Sequence, residues 1–215
     1  MSDYYTIEEF KRVLEKSPQV HSVGTIKTEG NFIKYISFET RPVGSVTIHR
    51  LDVNYSAALF DFYYKGLSEA SRKRFYPYPL FDKPLKTVAE LTNRIRDWQR
   101  EDDWTVLNLI KEQQIIGVCL LKRFHTLQAT SAIALHEKFR RMGLGHLLQT
   151  IVNEQARFLG LKKFHVKVEP DNIASIRLHE KCGFKQTKTV AYLGFVDGVR
   201  KEIPVIEMVL ELNYD

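Results

Sequence analysis

The chain has 215 residues, 44% hydrophobic and 27% charged, the balance of a globular protein with one substantial core; a fibrous or disordered polypeptide is excluded. No run approaches the ~20 apolar residues that span a bilayer, and the acid-bearing N-terminal stretch does not read as a secretory or transit leader, so no membrane partner and a cytoplasmic location are expected. The net charge of +6 is contained between Glu137 and Lys188, where eleven basic residues stand against five acidic ones; this fits either an anionic ligand of that segment or a solvated lysine-rich face.

In chain order, a helix is predicted around Thr6 to Glu15, followed by a hairpin of "VHSVGTIK" and "NFIKYISFE". "SVTIHRL" reads as a strand, and Ser56 as the cap of a helix carrying Leu59, Phe62 and Tyr63. A short helix at "SEASRKRF" runs into "YPYP", where Tyr76 and Tyr78 are candidates for lining a substrate pocket, although core packing accounts for them as well. Thr87 and Glu90 form a capping box for a helix of about four turns through Val88, Leu91, Ile95 and Trp98. "WTVLNLI" and "IIGVCLLKRF" make a second hairpin. The two cysteines, Cys119 and Cys182, lack the spacing of a metal or redox motif and read as buried reduced thiols. The seven histidines form no ligand pattern, so no metal is expected.

"ATSAIALHEKF" is predicted as a strand that runs into "RRMGLG". Leu144, Leu147, Leu148, Ile151, Val152 and Phe158 then recur at helical spacing until Gly160. "KFHVKVE" alternates as a half-buried strand, Asn172 caps the helix "IASIRLHEKC", and a third hairpin turns at Asp197 and Gly198. This order gives an α/β fold with a mixed sheet. Basic residues followed by spaced glycines at a helix start suit a phosphate, because the first helical amides are unpaired and the dipole attracts anions. A P-loop would need Lys and Ser or Thr after Gly145, where His146 and Leu147 stand; a dinucleotide fingerprint would need glycine in place of Leu148.

Arg140, Gly143 and Gly145 occupy the places of Gln/Arg-x-x-Gly-x-Gly/Ala, the acetyl-coenzyme A turn of the GNAT N-acetyltransferases. Further on, "NIASIRLHEKCGF" resembles that family's second signature, Asn-x-x-Ala/Ser-x-x-Leu-Tyr-x-x-x-Gly-Phe. The resemblance covers roughly Gly44 to Leu212 in element order, and motif by motif about Ile133 to Phe184, which implies a domain of residues 44 to 215. It implies a GNAT-like, mostly antiparallel central sheet flanked by helices, with residues 1 to 43 left as a helix-plus-hairpin extension of unknown role.

The resemblance also implies an enzyme that moves an acetyl group directly from acetyl-CoA to a primary amine. The backbone amides of Arg141, Met142, Gly143, Leu144, Gly145 and His146 would hold the pyrophosphate, with Arg140 as the first motif residue of this cofactor-binding turn. Ile133, Ala134 and Leu135 would pair with the pantetheine arm, beside Asn172, and the amide near Leu135 would stabilise an oxyanion. Where the family has its tyrosine this chain has His179, which is expected to protonate the departing thiolate; a surface histidine with Ile173 and Leu178 facing inward is the other possibility. Lys167 stands where some relatives carry a glutamate base; Glu169 and Glu137 are substitutes, and neither can be assigned. Two alternatives remain open, a catalytically silent acetyl-CoA sensor and, less favoured because no nucleic-acid signature is visible, a basic nucleic-acid-binding module. The amine acceptor, small molecule or protein, and the oligomeric state, a homodimer included, are not legible.

Overall fold

The computed structural model describes residues 5–75, 84–100, 103–127, 129–196 and 199–212. Helix α1 (Ile7–Glu15) starts where its capping box dictates: Glu9 N donates to Thr6 Oγ1 at 3.2 Å, and Thr6 N to Glu9 Oε2 at 2.7 Å. Strands β1 (Val20–Glu29) and β2 (Phe32–Thr40) form the first hairpin, and β3 (Gly44–Arg50) continues it. Ser56 is not the cap of the next helix. Asp52 accepts from Asn54 N at 2.7 Å and opens a 3-10 turn, Val53–Tyr55; α2 (Ser56–Asp61) grows from that turn, with Ser56 Oγ donating back to Val53 O at 2.6 Å. The chain then widens into a π-turn, Phe62–Gly66. Helix α3 (Glu69–Arg74) follows, capped by Ser68.

Helix α4 (Val88–Trp98) has eleven residues, about three turns rather than four. Thr87 caps it, but Glu90 accepts from Lys86 N at 2.8 Å rather than from Thr87 N, so only half of the expected box forms. Strands β4 (Trp104–Lys111) and β5 (Gln114–Lys122) are joined by Glu112 and Gln113, both left-handed at φ 48° and 68°, as a two-residue hairpin turn matching the strand twist demands. Strand β6 (Thr130–Leu135) is shorter than expected, because His136 leaves it and takes Lys138 N on its ring Nδ1 at 3.2 Å, starting a 3-10 turn at Glu137–Phe139. Then come α5 (Leu144–Phe158), β7 (Lys163–Val168), α6 (Ile173–Lys181), β8 (Lys185–Val196) and β9 (Val199–Glu211). The turn expected at Asp197 and Gly198 lies outside the described residues.

The described strands form one sheet in the order β1-β2-β3-β4-β5-β6-β7-β9-β8, antiparallel except between β6 and β7. Each face carries its own core. Phe10, Ile36, Leu107, Ile151 and Phe164 are buried under α1 and α5; Leu59, Leu91, Ile95, Val106 and Val118 lie under α2 and α4. Residues 5 to 43 share the first core: Phe10 packs edge-on against Phe158. Gln155, fully buried, accepts from Ile33 N at 2.8 Å and donates to Asn31 O at 2.8 Å, fastening the β1–β2 turn to α5. Cys119 is buried and Cys182 only half-buried, both as free thiols.

Candidate active site

The parallel strands β6 and β7 meet at one position, Thr130 opposite His165, where His165 N donates to Ala129 O at 2.8 Å. Beyond it the ladder stops. The two strands part from there on. A cleft of about 760 Å³ occupies the gap and passes between the faces of the sheet, with Ser131, Ile133, Ala134, Leu135 and Val166 on its walls. One edge of β6 is therefore free of sheet partners from Ser131 to Leu135.

At the mouth of the cleft the chain turns into α5 through two left-handed residues, Arg141 at φ 61° and Gly143 at φ 79°. Arginine in this region stores strain, which is tolerated where the surroundings fix the turn. Among the described residues, the amides of Arg141, Met142, Gly143, Leu144 and Gly145 have no acceptor; the first helical amide with one is His146 N, 3.0 Å from Gly143 O. Unpaired donors at a dipole's positive end make a cradle for an anion. Gly143 is also crowded: a Cβ there would lie 2.5 Å from Gln19 Nε2. A Cβ on Gly145 would meet Leu178 at 3.3 Å, so this glycine also lets α5 approach α6.

Other turn residues have definite partners. Arg140 pairs with Glu137 at 3.0 Å and donates to Ser71 Oγ at 2.8 Å, tying the turn to the start of α3. Met142 is exposed and Leu144 buried in the core. His146 lines the cleft with its Nδ1 buried and unpartnered; burial, then the nearby Lys181, holds its pKa below the usual histidine value. Glu137 accepts from Ser68 N at 2.9 Å and Ser71 Oγ at 2.6 Å. Burial raises its pKa, but those bonds and Arg140 outweigh burial and hold it below the usual carboxylate value, which unsuits it as a base. Glu169 is held by Arg74 at 3.7 Å.

Asn172 both caps α6, accepting from Ser175 N at 3.3 Å, and lines the cleft. Ile173 does not face inward: it is 51% exposed, whereas His179 is 4% exposed and also lines the cleft. His179 Nδ1 lies 2.7 Å from Ser175 O. A carbonyl only accepts, so Nδ1 carries the proton and Nε2 the lone pair. That Nε2 is buried and has no protein partner. Burial pulls the imidazole pKa below its usual value, partly offset by the Ser175 carbonyl, so the ring is neutral at pH 7.

Residues of the turn, Asn172 and His179, all expected from the sequence, thus line one cleft, together with two residues that were not expected, Ser175 and Gln19. Ser175 was detectable from its helical spacing four before His179; Gln19 was not, because only the tertiary fold brings it over Gly143. Tyr76 and Tyr78 lie outside the described residues. A second, larger cavity of about 1150 Å³, lined by Lys27, Tyr35, His49, Arg50 and Trp98, shares Trp104 with the cleft but no residue of the α5 turn. Among the described residues no His, Cys, Asp and Glu cluster is arranged to hold a metal, and no helix is long and apolar enough to cross a membrane.

Residues 56–185, more than half the chain, match the family model for an acetyltransferase (GNAT) domain. An N-alpha-acetyltransferase of Sulfurisphaera tokodaii is 28% identical over 127 residues, covering 57% of this chain and 72% of the relative. The same fold recurs in the RimL ribosomal L7/L12 α-N-protein acetyltransferase in complex with coenzyme A (TM-score 0.65, 16% identity, 79% of this chain and 96% of that one). It recurs too in the Vibrio cholerae spermidine N-acetyltransferase with CoA and spermine (TM-score 0.62, 17% identity, 77% and 95%). Parted strands and free amides at the head of α5 are thus set in a chain that belongs to the GNAT acetyltransferase family, the acyl-CoA-dependent N-acyltransferases.

Proposed function

We propose that this chain transfers an acetyl group from acetyl-CoA directly to a primary amine, and that the amine is an α-amino group. The observation that carries the reading is a single cleft joining the unpaired amides of 141–145 to His179, whose Nε2 has no protein partner. The residues present fit the cofactor. The left-handed turn offers donors to a diphosphate, and Gln19 adds one: its Oε1 is taken by Ser17 Oγ at 3.0 Å, which leaves Nε2 free beside Gly143. The open edge of β6 at Ile133, Ala134 and Leu135 suits the amides of a pantetheine arm, with Asn172 opposite. Acetyl-CoA supplies, when bound, an acyl group activated as a thioester.

His179 then acts as a relay rather than as the simple acid expected from sequence. Being neutral, it first accepts on Nε2 a proton released by the acylated nitrogen, and as imidazolium returns it to the leaving sulfur. Neither Glu137 nor Glu169 is free to deprotonate the incoming ammonium. At pH 7 that step costs about 1 kcal/mol for an α-amine of pKa near 7.8 and about 4 to 5 for a lysine near 10.4, favouring the α-amine. The name of the Sulfurisphaera tokodaii relative agrees with this choice. The test is thiol release from acetyl-CoA with peptides whose amino terminus is free or blocked, each with and without lysine. Release is expected from every free terminus and from no blocked one; acetyl-CoA binding without release from any amine would leave a silent sensor instead.

A further inference from the structure

We propose that the acceptor carries a carboxylate near its amine, held by Lys122, Arg123 and Lys167 at the end of the cleft opposite the phosphate turn. This rests on the transferase reading above and adds the acceptor's chemical class, an acidic peptide amino terminus.

The sheet register puts the cations together. Trp104, Lys122 and Thr130 stand side by side across β4, β5 and β6; Thr130 is paired with His165, and Lys167 follows two residues on, on the same face of β7. Lys122 Nζ lies 5.3 Å from the Trp104 ring centre and Lys167 Nζ 4.8 Å from that of Tyr192, and all of these side chains line the cleft. Among the described residues neither Lys122 nor Arg123 has a carboxylate within ion-pair distance. Glu207, opposite Lys167, is shared with Lys188 at 3.9 Å and His165 at 3.7 Å; Glu169 and Asp171 are held by Arg74 at 3.7 Å and 2.5 Å.

Burial, with Arg123 and Lys167 adding to it, pushes the Lys122 ammonium down to about 8, which is the signature of a cation short of a counter-ion. Lys122 is half-buried and Arg123 and Lys167 are exposed, so three cations lining one end of the cleft attract an anionic group of the acceptor and repel a polyamine. The same positive field favours the uncharged form of the incoming amine, the form that attacks a thioester, and so partly replaces the missing base.

The test is steady-state thiol release by the full chain with matched peptides Ala-Asp-Ala, Ala-Ala-Ala and Ala-Lys-Ala, all amidated, together with free aspartate and spermidine. We expect kcat/KM for Ala-Asp-Ala at least roughly tenfold above Ala-Ala-Ala, with Ala-Lys-Ala and spermidine lowest. The ratio should collapse toward one in Lys122→Met and in the more exposed-site variant Lys167→Gln, which guards against misfolding of the first. Free aspartate above the peptide would keep the carboxylate site but assign it to a small molecule. Preference for neutral or cationic acceptors, or a preference that survives both substitutions, overturns the inference while leaving the transferase reading intact. No release from any acceptor overturns both.

Discussion

Replacing His179 with phenylalanine separates the chemical role of this ring from its structural one. The phenyl group fills nearly the same buried space and can keep the edge-on packing against Phe184, now 5.2 Å between ring centres. What is lost is the Nδ1–H bond to Ser175 O at 2.7 Å, a carbonyl inside α6 that also accepts along the helix, so the fold should lose no more than about 1 kcal/mol. The rate should fall much further. A positioned general acid or base is worth roughly 10²- to 10⁴-fold, so kcat is expected to drop at least about a hundredfold with little change in the KM for acetyl-CoA.

The pH profile gives the sign. Burial keeps the pKa of His179 below 6.5 and the relay needs the neutral ring, so the wild-type rate should rise through the acceptor amine's own pKa of about 7.8 and carry a further acid limb below about 6.5. The same group, depressed in the fold, contributes stability above about 6.5 that is lost as pH falls through its folded pKa; the variant should lack that acid-side loss. Thiol-release kinetics and thermal melts across this range read both effects. A variant retaining wild-type kcat and the same acid limb would refute the relay.

Gly143→Ala forces a Cβ into a left-handed residue, costing about 1–2 kcal/mol, and against Gln19 Nε2; acetyl-CoA affinity by calorimetry should weaken roughly tenfold. Gln19→Ala should raise the dissociation constant several-fold while leaving kcat in place, since it removes a phosphate donor far from the reacting centre. Gln155→Leu leaves the buried Ile33 amide without its acceptor, about 1–3 kcal/mol, and should lower Tm by roughly 3–10 °C in a melt.

How much of this was legible in the chain depends on whether the cause was local. The first helix, the second hairpin and the glycine stop at Gly160 are set by neighbouring residues and were expected; the capping box of α1 and the tight turn at Glu112 and Gln113, which has no glycine or asparagine to mark it, were not. The family turn and the Asn172 signature were equally visible, because each places a few fixed residue types on one helix start. Ser56 misled because a good capping residue lies inside a turn that Asp52 had already opened one turn earlier. His179 was found but its protonation state was not, since that depends on burial and on the Ser175 carbonyl. Gln19 over Gly143 and the meeting of Lys122 with Lys167 are products of sheet order, and no spacing along the chain encodes them.

The claim that unpaired amides at the head of α5 grip a diphosphate is tested most directly by calorimetric titration of the full chain with acetyl-CoA and, separately, with S-acetylpantetheine, which keeps the thioester arm and lacks the nucleotide. The account predicts saturable binding of acetyl-CoA and at least roughly hundredfold weaker binding of the truncated thioester. Equal affinities, or no heat from acetyl-CoA at all, would contradict it.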